Sequence, residues 1–402
     1  MAPKRVFELD VLRGIAILLV MGVHVPAYPI WSTVGGWGVD LFFVLSGFLI
    51  SNLLFTEYRA TNHIRLRRFF FRRALKLYPS FYVLIAVTLG YCFLWKVPVI
   101  GHELFGEMIL TQNYLGSIWG HTWSLAVEEH FYIFLPLLLA FLMYRKRGAD
   151  NPFSSIPAIF LVVAVTCLLL RIGNAMQHPM FHHRVHYEPS HLRMDSLFFG
   201  VVLSYFHNFR PAVLQKLMSN PWRFPISLVS VLALCPALFL QPDDPIVYTV
   251  GFTLVYLSFG TMLLLSIYKE KGKKLVAPGI AAKAIAKMGT YSYTLYLWHV
   301  PMAMLFSGIA ARFGIVNQYA LHAVYFMTTI ALGLGSAELV EIPILRMRER
   351  LFPLTITNPT ESLTCLASQL DGTLQSPGPA EIVHESSRPH ESSPAVTGPR
   401  QA

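Results

Sequence analysis

Long apolar runs dominate this chain. A helix needs roughly 20 predominantly apolar residues to cross a bilayer. Windows of that kind fall near 11–30, 36–55, 79–96, 122–143, 154–172, 193–209, 224–240, 247–268, 289–312 and 319–341. The pattern predicts an all-α polytopic membrane protein with about ten transmembrane helices. The sixth and seventh windows are short and carry polar residues, so they are the weakest of the set. No small-residue cleavage site follows the first run, which therefore reads as a retained helix and not as a signal peptide. Beyond residue 355 the pattern stops. Segments such as SPGPAEIVHESSRPHESSPAVTGPRQA are too poor in apolar residues to pack, so 355–402 reads as a disordered tail.

Composition agrees with the pattern. Of 402 residues, 54% are hydrophobic and 13% charged, against about 25% charged in soluble domains. Mean hydropathy is +0.50. A soluble enzyme is excluded. The net charge of +10 would suggest nucleic acid in a soluble protein, but here the basic residues cluster between apolar runs and orient the chain instead. One side carries Arg59, Arg65, Arg67, Arg68, Arg72, Arg73 and Lys76, then Arg145, Lys146 and Arg147, and the alternation continues to Arg346, Arg348 and Arg350. The other side holds Lys96, Arg171, Arg184, Arg193 and Arg312. The positive-inside rule places both termini in the cytoplasm. Cys92, Cys167 and Cys235 lie in apolar stretches and Cys365 in the tail, so no disulfide framework is expected.

Ionisable residues inside spans are costly and point to function. In FELDVLRGIAILLVMGVHV, Arg13 and His24 are eleven residues apart, which is about 20° around a helix, and Asp10 shares that face within about 40°. Asp40 opens the second span, either as a helix cap or as part of a site. The fourth span, HTWSLAVEEHFYIFLPLL, gathers Trp123, Ser124, Glu128, Glu129 and His130. Ser124, Glu128 and Tyr132 share one face at i, i+4, i+8. Glu128 could orient His24 for general-base chemistry, or it could be an ion-pair partner for Arg13. Arg72, Arg73 and Lys76 at the start of the third span suit either a topology signal or a phosphate-bearing ligand. The outer loop at 173–192 holds His178, His182, His183, His186 and His191, but no HExxH, Cys or nearby Asp completes a metal set. No Walker loop or GxSxG elbow is present. A transporter would carry intramembrane charges equally well, but it predicts internal repeats, and the two halves show none.

Taken together these segments resemble the acyltransferase 3 family of integral membrane acyltransferases. Arg13-x10-His24, GVDLFFVLSGFLI at 38–50 and TWSLAVEEHFY at 122–132 carry the resemblance. LRMDSLFFG at 192–200, YSYTLYLWHVP at 291–301 and Glu341/Pro343 of VEIP echo it more weakly. Lys76 stands where the family's Arg-x-x-Arg motif ends, and it cannot fork to a phosphate as Arg does. His130 stands where Gln is common. The resemblance implies one acyltransferase domain over 5–350, in a bacterial plasma membrane. It implies a cytoplasmic acyl-CoA co-substrate, acetyl-CoA foremost, and no resident cofactor or metal. The acceptor would be a hydroxyl on a carbohydrate or other small molecule. Implied roles are His24 as base or acyl carrier, Glu128 and Arg13 beside it, and Arg72, Arg73 and Lys76 on the donor. Asp10, Asp40, Trp123 and Ser124 would support them.

Overall fold

The computed structural model describes residues 6–24, 29–268, 278–314 and 317–353. The tail expected at 355–402 and the first five residues lie outside that set. Among the described residues there are helices and turns but no strands. The main helices are α1 (Phe7–Gly22), α2 (Trp37–Thr61), α3 (Leu66–Trp95), α4 (Trp123–Arg145), α5 (Ile156–Gln177) and α6 (Met194–Phe209). They continue with α7 (Arg223–Ala233), α8 (Phe252–Ile267), α9 (Ile280–Thr290), α10 (Ser292–Phe313), α11 (Gln318–Ser336) and α12 (Ile342–Leu351).

Among the described residues the ten apolar windows fall mainly on helices, but fewer than ten of these helices have the length and apolar character of a full crossing. Seven helical stretches among the described residues are long and apolar enough to span. An eighth is added if α6 and the helix Pro211–Leu217, bent by 108° at their junction, count as one span. With 16 residues, α1 rises about 24 Å, short of the roughly 30 Å hydrocarbon core. The seventh window is broken into α7 and the five-residue helix Cys235–Phe239, with a proline at its start. Apolar length predicts the location of these elements well. It does not show which of them are cut short by Pro or by a change of direction.

Two glycine contacts set the spacing around the site. A Cβ on Gly47 of α2 would sit 1.9 Å from the Leu197 carbonyl oxygen of α6, and one on Gly200 would sit 2.3 Å from that of Val44. Gly14 of α1 and Gly289 of α9 meet their neighbours' backbones as closely, against Ile285 and Asp10. Such small-residue contacts let backbones touch where lipid provides no hydrophobic drive for helix pairing. An apolar core of Ile17, Phe43, Val127, Phe131, Leu197, Phe198 and Leu295 then fills the space between α1, α2, α4, α6 and α10.

Candidate active site

A polar cavity lies inside this bundle. It is small, about 60 Å³, and is lined by Arg13, Ser46, Arg73, Lys76, Ser124, Glu128, Tyr293 and Tyr296 together with apolar residues. Three helices that are distant in sequence, α1, α3 and α4, supply its charges. The guanidinium of Arg73 lies 3.9 Å from the Tyr132 ring centroid, a cation–π contact in a buried setting. Glu128 accepts hydrogen bonds from the Ser46 hydroxyl at 2.8 Å and the Tyr132 hydroxyl at 2.7 Å. The i, i+4 spacing of Glu128 and Tyr132 makes the second bond local to one helix, while the first ties α4 to α2. Arg73 Nε is buried without a hydrogen-bond partner, as is one oxygen of the neighbouring Glu129. Orphaned polar atoms at one place mark a site where a polar ligand would be satisfied.

Beyond Tyr296 the polar path continues into histidines. Tyr296 donates to the His121 carbonyl at 2.6 Å, so the Ser124 hydroxyl donates to Tyr296 Oη, also at 2.6 Å. The ring of His299, one turn along α10, is centred 5.1 Å from that of Tyr296, 4.9 Å from His121 and 5.3 Å from His24. His299 Nδ1 bonds the Tyr296 carbonyl, and His121 Nε2 bonds the Leu297 carbonyl at 3.3 Å. Backbone carbonyls thereby take the donor nitrogen of two of the three rings. His24 sits just past the end of α1, on the side away from the basic cluster.

The sequence-predicted residues therefore separate into groups. Arg13, Arg73, Lys76, Ser124 and Glu128 come together in the cavity. His24 and Glu128 are not brought together: the carboxylate is held by Ser46 and Tyr132, and the imidazole lies against His299. Arg72 turns away from the cavity and forks to Glu349 of α12 at 2.8 and 3.1 Å, with the Phe352 carbonyl as a further partner. It clamps α3 to α12. Asp10 is half-buried on α1, where its backbone packs against Gly289.

Asp40 is neither a cap nor a cavity wall. Its carboxylate accepts from Arg193 at 2.6 Å, and both side chains are fully buried. Arg193 lies 3.7 Å from the Phe252 ring centroid and 4.7 Å from that of Tyr187, with Phe43 and Trp123 completing the cage. Trp123 thus belongs to this cage. A second buried pair, Arg171 with Asp195 at 2.7 Å, ties α5 to α6. The loop histidines have local partners: His186 bonds the His178 carbonyl, His183 bonds Glu188, and His191 bonds Tyr114.

Sequence reasoning missed His121, His299 and Tyr296. The first directly precedes TWSL and the other two lie in YSYTLYLWHVP, so polar residues inside a quoted motif were the available signal. It also missed Glu107, in the short helix Gly101–Met108 outside the spans. Glu107 accepts from the Trp119 N–H at 3.1 Å and the Thr122 hydroxyl at 2.9 Å, which shapes the turn that presents His121. Burial pushes its carboxyl up to about 7. The folded protein then holds this proton more tightly than the unfolded chain. Stability should fall as pH rises from about 4.5 to 7, by at most about 1.4 kcal/mol per pH unit, and be level above. Glu107→Gln, which mimics the protonated acid, should remove that slope in thermal melts of the purified protein. An unchanged slope would show that another group is responsible.

A multi-helix membrane protein with a charged, partly orphaned cavity beside clustered imidazoles is the class these features define. The chain matches the family described as Acyltransferase domain over residues 6–337 and belongs to it, the acyltransferase 3 family. It is 28% identical over 364 residues to "O-acetyltransferase OatA" of Staphylococcus aureus, covering 85% of this chain and 58% of that protein. It is 28% identical over 327 residues to "Peptidoglycan O-acetyltransferase OatA" of Listeria monocytogenes, covering 75% and 50%. The chain thus spans little more than half the length of these relatives. No solved structure matches it.

Proposed function

We propose that this protein is a membrane O-acetyltransferase of the bacterial plasma membrane. It would take an acetyl group from acyl-CoA on its basic side and pass it to a carbohydrate hydroxyl on the opposite side. The observation that carries this reading is the cavity lined by Arg73, Lys76, Arg13, Glu128, Ser46, Ser124 and Tyr296, with ring contacts leading on from Tyr296 to His299 and from His299 to His24. The names of the relatives support acetyl as the group and a glycan as the acceptor.

In this mechanism Arg73 and Lys76 draw the polar arm of the donor into the cavity, while Glu128 balances the Arg73 charge. His24 takes the proton of the acceptor hydroxyl as its oxygen attacks the thioester carbonyl. The C–S bond then breaks, the acetyl group stays on the acceptor oxygen, and the CoA thiolate leaves and recovers the proton. The Ser124 and Tyr296 hydroxyls, whose protons go to Tyr296 Oη and to the His121 carbonyl, line the end of the cavity toward the histidines and fix Tyr296 beside His299.

The test is transfer of label from radiolabelled acetyl-CoA to carbohydrate in membranes that contain the protein. Wild type should transfer label. Glu128→Gln, with its charge removed, should lose about tenfold or more, the scale of one lost charge-assisted contact. Movement of an unmodified solute by inserted protein, without label transfer, would favour a transporter.

A further inference from the structure

On the basic side of the bundle a second and much larger cavity opens between the α2–α3 turn and the end of α4. Its volume is about 650 Å³, within the range of small-molecule sites. Arg65, Arg67, Lys146, Arg147 and His63 line it, with Tyr144 beside them, and none of its lining residues is acidic. Among the described residues the charges of Arg67, Lys146 and Arg147 are not spent on carboxylates. Lys146 Nζ bonds the neutral hydroxyls of Ser154 and Ser155, at 2.8 and 2.7 Å. Arg147 lies 4.6 Å from the Tyr144 ring centroid, and Arg67 lies 5.8 Å from that of Phe71. Among the described residues no ion pair with an acid involves Arg67, Lys146 or Arg147. Two neighbouring arginines of the same basic region are neutralised: Arg68 pairs with Glu57 and Arg72 with Glu349.

A row of positive residues at this boundary would satisfy the positive-inside rule on a flat surface. A concave chamber that concentrates them and omits acids does more, because low-dielectric walls focus the field on whatever enters. Two helix C-termini and one N-terminus meet there, at Thr61, Arg145 and Leu66, so the side chains and not the backbone dipoles set its sign. The chamber is also separate from the Arg73 cavity. Arg67 precedes Arg73 by six residues on α3, which is about 9 Å along the helix and about 120° around it.

We infer that this chamber is a binding site for a phosphate ester, with Arg67 and Arg147 as its principal phosphate ligands and Tyr144 as a flat wall beside them. The same chemistry is offered by the bisphosphate end of a soluble nucleotide and by the headgroup of an anionic phospholipid. The inference does not depend on acyl transfer, because it is read by binding alone.

The test uses the full-length protein in nanodiscs of phosphatidylcholine, titrated with adenosine 3′,5′-bisphosphate. In the first arm, saturable binding by wild type that weakens about tenfold or more in Arg67→Gln/Arg147→Gln, a loss of about 1.4 kcal/mol or more, supports a nucleotide ligand. The second arm adds phosphatidylglycerol and counts retained lipid by native mass spectrometry. Retention lost in the Gln pair supports a headgroup ligand. Arg67→Lys/Arg147→Lys keeps both charges and should retain most of the binding in whichever arm is positive. It also serves as the folded variant if the Gln pair does not insert, with single Arg147→Gln carrying the comparison. The site is overturned if neither the bisphosphate nor phosphatidylglycerol distinguishes wild type from the charge-removing variants while their melting temperatures agree.

Discussion

His24→Ala, in protein that inserts at the wild-type level, is expected to lower acetyl transfer by about 10²–10⁴, the usual contribution of a positioned base. Of the three clustered imidazoles, His121 and His299 each give one ring nitrogen to a backbone carbonyl. His24 is held instead by ring contact with His299, at 5.3 Å between centroids. It is therefore the ring best placed to accept and return a proton. His299→Gln should cost less than His24→Ala, because it removes a neighbour of the proposed base and not that base itself. If quenched single turnovers trap acetyl on wild type but not on His24→Ala, His24 is an acyl carrier. Near-normal transfer by an inserted His24→Ala variant would remove it from the chemistry altogether.

The second large effect is on folding. Asp40→Ala leaves Arg193 buried among aromatic rings without its counter-charge, and breaking a buried pair this way costs about 3–5 kcal/mol. The folded yield and the melting temperature should drop together. Asp40→Leu combined with Arg193→Met removes both charges and should recover much of the loss, since apolar replacements of a buried pair are often neutral or stabilising. A variant Asp40→Ala that melts like wild type but fails to transfer acetyl would move Asp40 from the frame to the reaction. Because Asp40 lies on α2 and Arg193 at the start of α6, the pair also locks the close approach of Gly47 and Gly200.

Much of this protein is determined locally and was legible as such. Apolar length decides that the chain is helical and membrane-embedded, since bilayer thickness fixes how many residues a crossing needs. Charges that cannot be left in hydrocarbon mark Arg13, Arg73, Lys76 and Glu128 wherever they occur, and the structure gathers these four at one cavity. The tertiary structure alone decides the partners. Asp40 reads equally as a cap or as part of a site, because the sequence shows only its own helix, and the fold pairs it with an arginine 153 residues away. Arg72 and Arg73 are adjacent in sequence, but successive helical residues point about 100° apart. One therefore reaches Glu349 and the other the cavity. His24 and Glu128 have comparable depths when counted along their helices, but depth along an axis says nothing of separation across the bundle. Packing across the bundle decides the partners, and there His24 meets His299 while Glu128 meets Ser46.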